Sequence, residues 1–325
     1  MSANLPIRIG TRGSSLALVQ ARIVSDALAA AHADLRGPGD IRIIPIKTTG
    51  DMVQDRKLME IGGKGLFTKE VEEALLDGGI DCAVHSMKDM PTWLPAGLTI
   101  GAMLPREDAR DALFARSGGS IAELPPGARV GTASLRRQAQ LLALRPDLRI
   151  LPLRGNVETR LRKLAAGEAD ATLLAIAGLK RLGLLDKVSA ILDTAEILPA
   201  VGQGAIGVEI RADDARVGPL IAAIDHGATT QCVTAERACL SELDGSCHTP
   251  IAAYAELSSD GLELWMRTLI ALPNGSAVHR DECRGPPAES ATIGRAAGQR
   301  IKAVAEPAFF RAATAQPSAL FTPRD

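Results

Sequence analysis

Residues 80–91 read IDCAVHSMKDMP. The run from Ile80 to His85 has strand character, with Ile80, Cys82 and Val84 alternating toward a core. Lys88 and Asp89 then follow in a loop closed by Pro91. In an open α/β sheet the carboxyl ends of strands face the crevice where ligands bind. Asp89 is therefore a candidate ionised carboxylate, able to stabilise a developing cation or to move protons. The plain alternative is a solvated Lys–Asp surface turn.

Outward from this stretch the pattern is strand and helix in alternation. Ile7–Gly10, Ile41–Lys47 and Leu98–Leu104 read as further strands. Leu16, Val19, Ile23, Ala27 and Leu28 recur at helical spacing, and Thr68 is placed to cap a helix bearing Val71, Ala74 and Leu75. This βαβ order implies a largely parallel sheet. A turn signal at Pro125–Gly127 restarts it. Val130 enters from a strand, Ser134 caps a helix bearing Leu135, Ala139 and Leu142, and Ile150–Leu153 is a strand. Asn156 caps a helix bearing Val157, Leu161, Leu164 and Ala165, Ala171–Ala175 is a strand, and the unit ends near Pro199. The sequence shows no internal repeat. In the last third a helix from Thr230 to Leu243 precedes a strand over Ile251–Leu257. Leu262, Leu264, Met266, Thr268 and Ile270 then alternate as a half-buried antiparallel strand, and a final helix carries Ile293, Ala297, Ile301 and Val304. Segregated helices and strands mark an α+β domain.

With 325 residues, two or three domains are expected. Lys plus Arg number 37 and Asp plus Glu 38, so the net charge of −1 argues against nucleic acid or an anionic membrane as partner. Aromatics at 2% argue against base-stacking platforms. Five cysteines without a CxxC pair imply a reducing compartment. The opening MSANLPIRIG has no apolar signal core, and the apolar stretch Ala171–Leu179 is too short to span a bilayer. A cytoplasmic protein is expected. No His, Cys, Asp or Glu set has metal-ligand spacing, so no metal is expected. The GGKG run at 62–65 lacks P-loop spacing.

Arginine placement is the second signal. Arg136 and Arg137 sit in the first turn of the helix capped by Ser134, where positive charge opposes the helix dipole by a few tenths of a kcal/mol. A bound anion reverses that penalty. Arg12 precedes Ser14 at the first helix, Arg154 and Arg160 flank the Asn156 cap, and Lys64 lies ahead of Thr68. Arg suits bidentate carboxylate recognition better than Lys. A ligand with several carboxylates or phosphates, held between two α/β lobes, is the inference; cations pointing into water are the alternative.

The third signal is GSCHTPI, residues 245–251, which puts Cys247 in a glycine-bearing loop between a helix and a strand. A thiol on a turn is open to attack chemistry and is a candidate covalent attachment point; a free cysteine in a tight turn is the alternative. Cys82, Cys232 and Cys239 share apolar stripes and read as core, and Cys283 lies near the surface.

These segments, in this order, resemble the porphobilinogen deaminase (hydroxymethylbilane synthase) family. The matching runs are TRGSSLALVQ (11–20), GGKGLFTKE (62–70), CAVHSMKDMP (82–91), GTASLRRQ (131–138), RGNVETRL (154–161), AGLKRL (177–182) and PAVGQGA (199–205), with the Cys247 loop. The resemblance implies head-to-tail joining of four porphobilinogen units, with loss of ammonia, by a monomeric cytoplasmic transferase of tetrapyrrole (haem) biosynthesis. It implies a dipyrromethane cofactor on Cys247 through a thioether, and Asp89 as the catalytic aspartate. By position it places cofactor contacts at Ser86, Lys88, Thr132, Ser134, Arg136, Arg137 and Arg154. Substrate contacts fall at Arg12, Ser14, Gln20, Lys64, Arg154, Arg160, Arg181 and Gln203. The implied fold is α/β with three domains: two periplasmic-binding-protein-like (type II) α/β lobes, 5–104 with 203–222 and 105–202, and a C-terminal α+β domain, 223–325. The segment Gly50–Gly62 resembles the family's mobile loop. One departure is Ser246, where the family commonly has glycine. A two-lobed solute-binding protein and an inactive pyrrole-binding homologue remain alternatives.

Overall fold

The computed structural model describes residues 6–52, 68–243, 250–305 and 309. In chain order it forms β1 (Ile7–Arg12), α1 (Ser15–Ala31), β2 (Ile41–Ile46), α2 (Thr49–Met52), α3 (Lys69–Leu76), β3 (Cys82–Ser86) and β4 (Leu98–Met103). There follow β5 (Asp111–Ala115), β6 (Arg129–Gly131), α4 (Leu135–Leu144), β7 (Arg149–Leu151), α5 (Val157–Ala165), β8 (Ala171–Ala175), α6 (Ile176–Leu182) and β9 (Ala190–Ile191). The chain ends with β10 (Ile206–Arg211), α7 (Val217–Ala222), α8 (Gly227–Glu242), β11 (Ile251–Leu257), β12 (Leu264–Ala271), β13 (Val278–Gly285) and α9 (Ser290–Val304). Two compact units result, 1–107 with 204–230 and 108–203 with 231–325.

The first unit, lobe 1, is a five-stranded sheet of order β2-β1-β3-β10-β4. β1 runs parallel to β2 and β3, while β10 runs antiparallel to β3 and β4. The second unit holds lobe 2, of order β7-β6-β8-β5-β9, with β6 parallel to β7 and β8 and β5 antiparallel to β8 and β9. The largely parallel sheet expected from sequence is thus a mixed one, because each lobe takes a reversed strand from a distant stretch of chain. β5 precedes the Pro125–Gly127 turn at which the strand–helix pattern was expected to restart. The same unit carries the antiparallel sheet β11-β12-β13, whose core joins α8 and α9 through Ala235, Cys239, Met266, Ala297 and Ile301.

The two lobes repeat one another, which was not read from the sequence. Ile9 and Gly10 of β1 pair with Cys82 and Ala83, and Val130 and Gly131 of β6 pair with Ala171 and Thr172. Arg8, just before the first pair, clamps Asp81 through its backbone N and its guanidinium and reaches the carbonyl of Gly79. Arg129 does the same to Asp170 and the carbonyl of Gly167. Glycine is needed in both first strands: a Cβ on Gly131 would stand 2.8 Å from Cβ of Leu153, and one on Gly10 would strike the Ile80 side chain.

Local signals explain the helices. Ser14, Ser134 and Asn156 each accept an N–H of their first turn, as N-caps do. Thr68 occupies the N-cap position of α3 without capping it; its hydroxyl bonds Glu72 instead. Val304 is exposed, so the buried face of α9 is Gly294, Ala297, Gly298 and Ile301. Leu262 is also exposed, β12 starts at Leu264, and its second half is buried on both faces.

Candidate active site and anion site

In lobe 1 the chain leaves β3 at Ser86 and makes one 3-10 turn, Met87–Asp89. Met87 is buried and its N–H donates to the carbonyl of Ala205, while Met90 N–H closes the turn onto Met87. The turn therefore presents Asp89 at the carboxyl end of a central strand. A small open pocket of about 60 Å³ lies there, lined by Arg12, Ser14, Gln20, Thr68, His85, Ser86 and Asp89. Arg12 closes β1, and Ser14 begins α1, so three elements meet at one point. Gln20 is buried and its amide N donates to Ser86 Oγ at 2.7 Å, which fixes α1 against the end of β3. Lys88 is exposed and does not line this pocket.

Behind the pocket sits buried charge. His85 Nε2 lies 3.0 Å from Glu209 Oε2; Glu209 is fully buried, and His85 is buried but for the edge that lines the pocket. Glu72 of α3 is also buried. Burial pushes its carboxyl up, with the charge of Glu209 adding to the rise and the Thr68 hydrogen bond opposing it.

In lobe 2 the paired arginines already have an anion. Asp111, the first residue of β5, is fully buried. Its Oδ2 accepts from Arg136 Nη2 at 2.8 Å and Arg137 Nε at 3.1 Å, and its Oδ1 from Arg137 Nη2 and Gln203 Nε2, each at 2.8 Å. Arg136 Nη1 also donates to the carbonyl of Leu198, and Arg137 Nη1 to that of Leu173. The sequence argument assigned that anion to a ligand; the chain supplies one itself. Burial pushes the Asp111 carboxyl up, but the charges and hydrogen bonds of Arg136 and Arg137 outweigh it and hold it well below the usual carboxylate range.

Other expected contacts are also occupied within the chain. Gln203 is buried and donates to the carbonyl of Ala109 and to Asp111, bracing the arginine cluster. Thr132 Oγ accepts the Ser134 N–H, and Ser134 caps α4. Arg160 Nε donates to the carbonyl of Gly155, and Arg154 and Arg181 are half-buried. Lys64, Cys247 and most of the Gly50–Gly62 loop lie outside the described residues. Among the described cysteines, Cys82, Cys232 and Cys239 are buried and Cys283 is half-buried. Burial pushes the thiols of Cys82 and Cys239 up to about 12, and raises that of Cys283, so these three are poor nucleophiles.

Asp111, Glu209 and Glu72 were not found by sequence reasoning. One signal was available for Asp111: two adjacent arginines on a helix that also packs a core require a counter-ion, and this Asp opens an apolar strand.

The family model described as porphobilinogen deaminase, dipyromethane cofactor binding domain, matches residues 7–218, and that for the C-terminal domain of porphobilinogen deaminase matches 230–303. The chain belongs to the porphobilinogen deaminase family. The porphobilinogen deaminase of Paracoccus denitrificans is 55% identical over 305 residues, covering 94% of this chain and 96% of its own. That of Nitrobacter winogradskyi is 53% identical over 93% of this chain and 94% of its own. The chloroplastic enzyme of Oryza sativa subsp. japonica is 51% identical over 94% of this chain and 85% of its own. Among solved structures, an ABC transporter periplasmic substrate-binding protein from Coxiella burnetii aligns with a TM-score of 0.42 and 15% identity, over 71% of this chain and 96% of its own. The sheet order above, not that likeness, defines the lobes.

Proposed function

We propose that this chain performs its family's reaction with Asp89 as the catalytic carboxylate and Cys247 as the point of cofactor attachment. The reaction is the head-to-tail joining of four porphobilinogen units, each with release of ammonia, to give hydroxymethylbilane. The observation that carries the reading is the lobe 1 pocket, which gathers Asp89, Arg12, Ser14, Gln20 and Ser86 at the end of β3.

Loss of ammonia from the substrate's aminomethyl group leaves a cation delocalised over the pyrrole ring. The Asp89 carboxylate stabilises that charge by proximity. Arg12 takes the substrate's carboxylates, with Lys64, Arg154, Arg160 and Arg181 as further cations for the polyanionic chain. In lobe 2, two guanidiniums face the one carboxylate of Asp111, a surplus of one positive charge among the described residues. That surplus fits a carboxylate-bearing cofactor, which Arg136 and Arg137 would hold with Thr132 and Ser134 nearby in sequence; Lys88 of lobe 1 is a further proposed cofactor contact. The dipyrromethane cofactor supplies the primer to which substrate is added.

The chain is read as a cytoplasmic monomer that does not bind nucleic acid, with domains at 5–104 plus 203–222, 105–202 and 223–325. Among the described residues no helix is long and apolar enough to cross a membrane. The deciding experiment is intact mass with peptide mapping around Cys247, alongside turnover of porphobilinogen. An added mass of two linked pyrroles on Cys247 is expected. A chain that stays unmodified after incubation with porphobilinogen, and does not turn it over, sinks the proposal.

A further inference from the structure

Lobe 2 is an internal control for the charge buried in lobe 1. Register fixes the correspondence. Gly10 pairs with Ala83 and Gly131 with Thr172, while Ala83 pairs with Glu209 and Thr172 with Phe114. Glu209 thus corresponds to Phe114, and His85, two residues after Ala83, to Leu174. Glu72 and Leu161 each lie ten residues before the first residue of their lobe's third parallel strand. In lobe 2 these three places are filled by Phe114, Leu174 and Leu161, packed in one apolar cluster. The fold therefore closes without charge there.

Lobe 1 instead buries two carboxylates against one imidazole. Oε1 of Glu209 and Oε1 of Glu72 are both buried with no hydrogen-bond partner among the described residues. Orphan acceptors cost free energy, and replacing a buried ion pair by well-packed apolar residues is commonly neutral or stabilising. Stability does not account for the cluster. Its location does: His85 lines the same pocket as Asp89, and Thr68, which also lines it, holds Glu72 by a hydrogen bond.

We propose that His85 is a second proton-transfer group of this pocket and that Glu209 is its positioning residue. This rests on the function proposed above. Each addition exchanges a C–N bond of the incoming porphobilinogen for a C–C bond. The ring carbon that forms the new bond must then lose its hydrogen. That C–H bond breaks, its electron pair returns to the ring, and the proton passes to the imidazole and on to water. Asp89 thereby stays ionised beside the next cation. The charged groups around His85 are Glu209 from β10 and Glu72 from α3, with Arg12 from β1 and Asp89 from the turn after β3 lining the same pocket. Glu209 holds the imidazole at 3.0 Å, so removing its charge changes how the ring accepts and passes on the proton.

The test compares the parent holoenzyme with Glu209→Gln and with the double variant His85→Leu/Glu209→Phe, which copies lobe 2 at two of the three places. In Glu209→Gln the His85 ring resonances shift in NMR at a fixed pH, as the contact with the carboxylate is lost. The acid limb of the kcat–pH profile moves too. In the double variant the melting temperature is kept, kcat falls about tenfold or more and KM stays within about twofold. A double variant that folds and keeps the parent kcat and pH profile overturns the proposal. Should the double variant not fold, Glu209→Gln decides: unmoved His85 ring resonances and an unmoved acid limb overturn it. A parent that does not turn over porphobilinogen defeats the functional reading instead, and the NMR comparison still judges the dyad.

Discussion

The two lobes share strand order, the Arg–Asp clamp, the glycine of the first strand and the serine cap, yet they place their chemistry at different points. Counting from the caps Ser14 and Ser134, lobe 1 has Leu16 and Ala17 where lobe 2 has Arg136 and Arg137. Counting along the third parallel strand, lobe 1 has His85, Ser86 and Asp89 where lobe 2 has Leu174, Ala175 and Gly178. Each reversed strand inserts a buried carboxylate, but three places apart, since Asp111 corresponds to Ile206 and not to Glu209. One carboxylate meets an imidazole and the other two guanidiniums. The lesson is that the scaffold tolerates charge at several sites, and that the partner residue decides whether it leaves a basic or an acidic surplus.

The sharpest way to break this division is at Asp89. Asp89→Ala is expected to cut turnover by about 10³-fold while the circular dichroism spectrum is kept; near-parent activity would place catalysis elsewhere. Next is Asp111→Ala, which leaves two buried guanidiniums without their anion. A loss of about 3–5 kcal/mol is expected in urea unfolding, and a loss under about 1 kcal/mol would mean that the arginines find another partner. The twin clamps give a graded comparison. Asp81 is 2% exposed and Asp170 31%, so Asp81→Asn is expected to cost about 3–5 kcal/mol and Asp170→Asn about 0–1 kcal/mol; equal costs would refute the ranking. The Asp170 carboxyl is lowered to about 2, chiefly by the Arg129 hydrogen bonds. Its contribution is therefore complete above the unfolded value of about 3.9 and is lost as pH falls through about 2. An acid titration in which Asp170→Asn and parent differ at pH 7 but converge near pH 2 is the expected record. The smallest effects belong to the caps: Ser14→Ala and Ser134→Ala should each cost about 1 kcal/mol, and a marked inequality would show that one cap carries more than its helix.

Much of this was legible because it is local. Alternation marked Ile251–Leu257 and Ala171–Ala175 to the residue, and serine and asparagine before apolar periodicity marked three helix starts. Strand pairing is not local. Nothing near Ile206 announces that β10 reverses between β3 and β4, and nothing near Asp111 names Arg136 as its partner 25 residues on. Residue types at the candidate site were legible through Asp89 and the arginines. Their occupancy was not, because a hydrogen bond from Gln203 to Asp111 spans 92 residues and closes only in the fold. The repeat escaped notice because only scattered positions, Arg8 and Arg129, Gly10 and Gly131, Gln20 and Gln140, retain it.

The late arrival of β10 bears on how the chain is made. Lobe 2 is continuous, and every strand of its sheet has left the ribosome by residue 191. Lobe 1 begins first but lacks β10, the fifth of its strands in chain order, until residue 211, and among the described residues β4 pairs only with β10. The second-born lobe can therefore close while the first-born one still waits, with an unpaired edge along β3 that chaperones would meet on every nascent chain.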